Sequence, residues 1–195
     1  MKNININTPS IAEVEFYLKK WDANDKYTAQ ESALYKLFHQ TYTSNENIAD
    51  VLIKANAVNG FYSTNIYDIY SVADCIVKAD IDEKLKLGSV EAVDAIRYIN
   101  INGKIRNCYS FATKYCSHHN AEDFPIFDSY VEHVLMHLNK IDKFYDKKSL
   151  DLHNYGDFKF VLLLFKNFYK LNDYTLKQID QYLWQLGKEY FPNKY

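Results

Sequence analysis

Five glycines and three prolines in 195 residues leave this chain with few of the backbone breakers that an all-β protein needs at every turn. The polypeptide must run in long segments, and apolar residues recur along it at helical spacing. Ser10 precedes Ile11, Val14, Phe16, Tyr17 and Trp21, with Glu13 three places on, the pattern of a capping box opening an amphipathic helix. Thr28 to Tyr42 and Asn47 to Ala57 give two more helices, the second ended by Asn59-Gly60. Ile66 to Ala79, a short Asp80–Lys86 segment, Ala92 to Ile99 and a long stretch from Lys104 to His119 follow. Ser129 to Asn139, Phe158 to Leu171 and Tyr174 to Phe191 complete the series. The expected fold is all-α, a single domain over residues 1–195 with eight or more helices and Phe111, Tyr115, Val131, Leu135 and Trp184 in or near the core.

Composition narrows the functional classes. Hydrophobic residues make up 48% and aromatic residues 16%, enough to build a core without help from a disulfide or a metal. Cys75, Cys108 and Cys116 are odd in number and form no C-x-x-C pair, so they read as small buried hydrophobes. No apolar run reaches the roughly 20 residues of a membrane span, and the amino terminus lacks a signal-peptide pattern, which predicts a cytoplasmic protein. The net charge of -2 gives no global basic signature, yet Ile101 to Asn120 carries Lys104, Arg106 and Lys114 with no acid, a local stripe suited to phosphate.

Several constellations are weaker. His133 and His137 share a helix face at i,i+4, a spacing able to hold a metal, but a third ligand is missing and Glu132 is misplaced for H-E-x-x-H. Adjacent His118 and His119 read as cations at a helix C-terminus. No G-x-S-x-G elbow or glycine-rich phosphate loop is present.

The segment Ser110 to Val131 is more specific. A helix from about Ile105 to His119 spans about 22 Å, and the extended, proline-containing stretch Asn120–Phe127 can reach about 26 Å. It can thus return along the helix and bring Asp128 beside Gly103 and Lys104. Asp128 in such a place is otherwise a helix N-cap, although Ser129, with Glu132 three residues on, offers a cap of its own.

Phe124-Pro125-Ile126-Phe127-Asp128-Ser129-Tyr130-Val131 resembles the stretch around the catalytic aspartate of the helix-hairpin-helix DNA glycosylases. Phe61-Tyr62-Ser63-Thr64-Asn65-Ile66 is similar to the loop of the 8-oxoguanine branch that ends in an asparagine near the estranged base. Ala79 to Leu85 with Leu87-Gly88 resembles the linker ahead of that family's hairpin, of which Gly103-Lys104 are the residues retained. The order agrees across about residues 45–140. The resemblance implies a DNA N-glycosylase that acts on double-stranded DNA with a flipped base, as a monomer, without metal or cofactor, in repair or in defence against foreign modified DNA. It implies that Asp128 stabilises the sugar cation and activates water, with Lys104, or Lys114 in competition, as the amine of a lyase step. Ser63, Asn65, Gly103, Arg106 and Lys114 would meet DNA, and Tyr62, Tyr109 and Phe127 would line the base pocket. The competing expectation is a non-catalytic helical module of the same fold that binds nucleic acid or protein.

Overall fold

A computed structural model of the chain describes residues 6–192 and is built almost wholly of helices. In order these are α1 (Ile11–Asp22), α2 (Asp25–Lys36), a π-helical turn (Leu37–Thr41), α3 (Ile48–Tyr62), α4 (Ile69–Ala79), α5 (Asp82–Lys86) and α6 (Glu91–Arg97). A two-stranded hairpin, β1 (Tyr98–Ile101) and β2 (Lys104–Asn107), precedes α7 (Tyr109–His119), α8 (Ser129–Asp142), α9 (Tyr155–Phe168) and α10 (Leu176–Tyr190). No helix among the described residues is long and apolar enough to cross a membrane. The described residues divide into two compact units, one of residues 26–126 and one in which residues 6–25 join 127–192.

In the 26–126 unit, α7 is the central element. Every residue from Phe111 to Ser117 is buried, so the helix is enclosed all round, with α3, α6 and the π turn packed against it. The core around it includes Val51, Ala55 and Val58 of α3, Val72 and Ile76 of α4, and Val93 and Ile96 of α6. Two expectations fail here for identifiable reasons. α3 does not stop at Asn59-Gly60: Gly60 has open space around it and is carried inside the helix, which ends at Ser63 in the left-handed region, with Thr64 N–H bonded to Asn59 O at 3.2 Å. The stretch from Lys104 is not helical until Tyr109. Asn102 and Gly103 both have positive φ, 52° and 79°, the requirement of a two-residue type I′ hairpin turn, and Ile101 pairs with Lys104 across it. The ladder runs from that turn to Tyr98 opposite Asn107, and Cys108 N–H closes on Arg97 O at 2.6 Å.

In the other unit, α10 lies between α1 and α8. Tyr17 meets Tyr182, Trp21 meets Trp184, and Gln185 Nε2 donates to Tyr17 O at 2.8 Å. Val131 and Leu135 are fully buried, whereas Trp184 is half-buried between Trp21 and Tyr130. Past α8, the Asn139 carboxamide exchanges hydrogen bonds with the backbone of Tyr145, both N–H and C=O, and so directs Phe144 onto Phe165 and Tyr169.

The α8–α10 approach depends on Gly187: a Cβ there would stand 2.5 Å from Tyr130 O and 2.6 Å from Tyr130 Cβ. Gly187→Ala is expected to cost about 1–3 kcal/mol through forced separation of the two helices, read as a lowered urea midpoint at unchanged m.

Candidate active site

α7 carries polar residues into the core at two registers. On one stripe, at i, i+4 and i+8, stand Ser110, Lys114 and His118. Lys114 is 2% exposed; its ammonium donates to Ser110 Oγ at 2.5 Å and lies 5.3 Å from the centre of the Tyr62 ring. Tyr62, the last residue of α3, is half-buried, and its hydroxyl meets His118 Nε2 at 3.0 Å.

One residue further round, Tyr115 and His119 enter a second polar group. Lys54 of α3 is fully buried and donates to Ser44 O at 2.8 Å and Asn45 Oδ1 at 2.7 Å, with His119 Nε2 at 3.3 Å. Burial holds His119 down at about 2, with the Lys54 charge adding to the effect, so the imidazole is neutral. In the tautomer that leaves Nε2 unprotonated, that nitrogen accepts the third ammonium hydrogen and all three are satisfied. Asn45 Oδ1 also accepts from Tyr115 Oη at 2.5 Å, while the Asn45 carboxamide NH₂ and backbone N–H both bond the Asp82 carboxylate at the head of α5. His119 is therefore a neutral, part-buried residue and not the cation expected at the helix end.

The remaining expected residues fall on several elements. Lys104 and Arg106 lie on β2, exposed along its whole length, and as alternate residues of one strand they share a face. Gly103 belongs to the hairpin turn that precedes β2. Ser63 and Asn65 are exposed, both at positive φ, in a turn pinned by Asn59, whose side chain accepts from Ile66 N and Thr64 Oγ1 and donates to Ile66 O. Tyr109 is buried under the Arg97 guanidinium, 4.1 Å from its ring centre. Phe127, in the other unit, packs on Phe158 at 5.4 Å and His153 at 5.3 Å. Of the three aromatic residues assigned to a base pocket, Tyr62 alone is more than slightly exposed.

Asp128 is the N-cap of α8, its carboxylate accepting from Tyr130 N–H at 3.0 Å, half-exposed after a linker in which Phe124, Pro125 and Phe127 are buried. Ser129 is the first helical residue, so the separate cap expected of it is not formed. His133 and His137 both lie against the Phe191 ring, and no cluster of three or more metal-ligating side chains occurs among the described residues. Cys116 is fully buried in α7, which pushes its thiol up, away from reactivity.

This is a helical domain whose central helix presents a buried lysine, a tyrosine–histidine pair and a second buried lysine network. Residues 13–123 match the HI_0787_N family model, described as an N-terminal domain, and the chain belongs to that family. A protein of Haemophilus influenzae bearing the name "Uncharacterized protein" is 51% identical over 146 residues, covering 74% of this chain and 70% of its own. No solved structure matches the chain. The matched span holds Tyr62, Lys114 and His118 and ends before Asp128.

Burial lowers the Lys54 ammonium from 10.5 to about 8. Between those pH values the unfolded chain keeps a proton that the folded chain has released, so folding stability rises with pH across that interval, by about 3 kcal/mol in all. Lys54→Met is expected to lose this rise, seen by comparing urea unfolding of the two proteins from pH 7 to 10.5.

Proposed function

We propose that the chain is a DNA N-glycosylase that excises a damaged or modified base from double-stranded DNA, in repair or in defence against foreign DNA carrying altered bases. The observation that carries this reading is Asp128, an acid held half-exposed at the head of α8 by a largely buried linker. Cleavage of an N-glycosidic bond builds positive charge at C1′ of the sugar, which a fixed carboxylate stabilises while it orients and deprotonates water. Lys114, rather than Lys104, is the amine of a Schiff-base branch in this reading, because Ser110 Oγ and the Tyr62 ring fix its ammonium whereas Lys104 lies on a solvated strand. Lys104 and Arg106 suit phosphate, and the turn carrying Ser63 and Asn65 suits the DNA opposite the extruded base.

A second reading, a non-catalytic helical module of the same fold that binds nucleic acid or protein, is favoured by the bond from Tyr130 N–H to Asp128, since a carboxylate serving only as a cap performs no chemistry. One substitution separates the two. Asparagine caps a helix as well as aspartate does, so Asp128→Asn is expected to leave stability and DNA affinity intact while abasic-site formation on modified duplexes falls at least about 100-fold. Equal base release by the variant, or none by the native protein across a broad panel of modified bases, supports the second reading.

The charge reversals Lys104→Glu and Arg106→Glu together are expected to weaken duplex binding at low salt and to reduce the slope of log affinity against log salt by about two. An unchanged slope would place the phosphate contacts elsewhere.

A further inference from the structure

Lys114 and His118 are one helical turn apart on α7, and Tyr62, arriving from α3, touches both. Its ring face lies 5.3 Å from the Lys114 ammonium and its hydroxyl is 3.0 Å from His118 Nε2, with the two rings 5.6 Å apart. His118 is steadied in turn by Phe38 at 5.5 Å, and Lys114 by Ser110 Oγ. A lysine stem is long and rotamer-rich, yet transfer to a sugar carbon requires the reacting atoms within about 3–3.5 Å. A ring face fixed by its own hydrogen bond removes much of that freedom, and an attractive cation–ring contact selects the seated rotamer.

We propose that Tyr62, held by His118, is a positioning residue for Lys114, seating the amine for attack on C1′ of the sugar. The inference rests on the glycosylase reading and extends it to the choice between amine and water as nucleophile. The ammonium first gives one proton to solvent. The Nζ lone pair then forms the bond to C1′ as the C1′–N bond to the base breaks, and the base leaves with that electron pair and takes up a proton. The secondary ammonium so formed loses a proton, and the freed nitrogen lone pair then forms the C=N bond as C1′–O4′ breaks, with protonation of O4′, which gives the iminium. Borohydride reduces this by hydride transfer to C1′, leaving a stable amine link.

The test uses the full chain and two readouts. In the free protein, the ¹H–¹³C NMR signal of the Lys114 ε-methylene, assigned by its loss in Lys114→Arg, is expected upfield of the other lysines because of the Tyr62 ring current. Tyr62→Leu should return it to the common position, and Tyr62→Phe, which keeps the ring and loses the bond to His118, should leave it between. On a duplex that the native protein cleaves, borohydride-trapped adduct per base released should fall at least tenfold in Tyr62→Leu. It should fall less in Tyr62→Phe and least in His118→Gln, whose amide keeps both a donor and an acceptor for the tyrosine hydroxyl. A Lys114 signal unmoved by Tyr62→Leu overturns the seating itself. Base release by the native protein with no trapped adduct, or an unchanged ratio in Tyr62→Leu, overturns the role in attack. Absence of base release by the native protein overturns the glycosylase reading and this role with it, and the NMR signal then shows whether the seating stands alone.

Discussion

The carboxamide oxygen of Asn45 receives hydrogen bonds from Lys54 and Tyr115 and lies 3.2 Å from His119 Nε2, and the 26–126 unit is arranged around that point. An isolated buried ammonium costs several kcal/mol, so a lysine at the heart of α3 is tolerable only where each of its hydrogens has an acceptor. Ser44 O and Asn45 Oδ1 accept two of them and His119 Nε2 faces the ammonium at 3.3 Å, so its partners come from the segment after the π turn and from the last turn of α7. Asp82 extends the group to α5 through Asn45. A greasy residue in place of Lys54 would fill the space without dictating which groups face it; the ammonium fixes α3, α7 and the connecting segment in one mutual arrangement.

The second polar stripe of α7 follows from the first. With Tyr115 and His119 committed inward to Lys54, the neighbouring register places Ser110, Lys114 and His118 together against the end of α3. The amine chemistry proposed for Lys114 thus sits on a helix whose rotation is locked by another buried cation. Asp128 has a different support, an N-cap and a largely buried linker, and it falls outside the segment that matches the family model.

Much of this was legible in the sequence. Helical spacing located the helices of both units, and Ser10 was recognisable as the cap whose side chain accepts from Glu13 N–H, although the Glu13 carboxylate bonds Asn7 instead of completing a box. The helical periodicity of Lys104 to His119 conceals the hairpin, while the signal that decides the matter is the dipeptide Asn102-Gly103 between isoleucine-bearing segments. Lys54 was also readable in principle. It falls at i+3 from Val51 and i−4 from Val58, so the apolar stripe of α3 delivers it inward, and a charge on such a stripe announces a buried partner. His118 shares a face with Lys114 by simple i+4 arithmetic; its bond to Tyr62, 56 residues earlier, depends on tertiary packing and leaves no local trace.

The turn that follows α3 has a consequence that lies in entropy. Ser63 and Asn65 occupy the left-handed region, a conformation that a flexible loop would visit only a small part of the time. Asn59 holds it by bonding Thr64 and both polar groups of the Ile66 backbone. A partner meeting these exposed side chains encounters a surface already in its final shape, so little of the free energy of contact is consumed in ordering the chain. Such a surface discriminates by fit, since it has few alternative conformations with which to accommodate a poorly matched one.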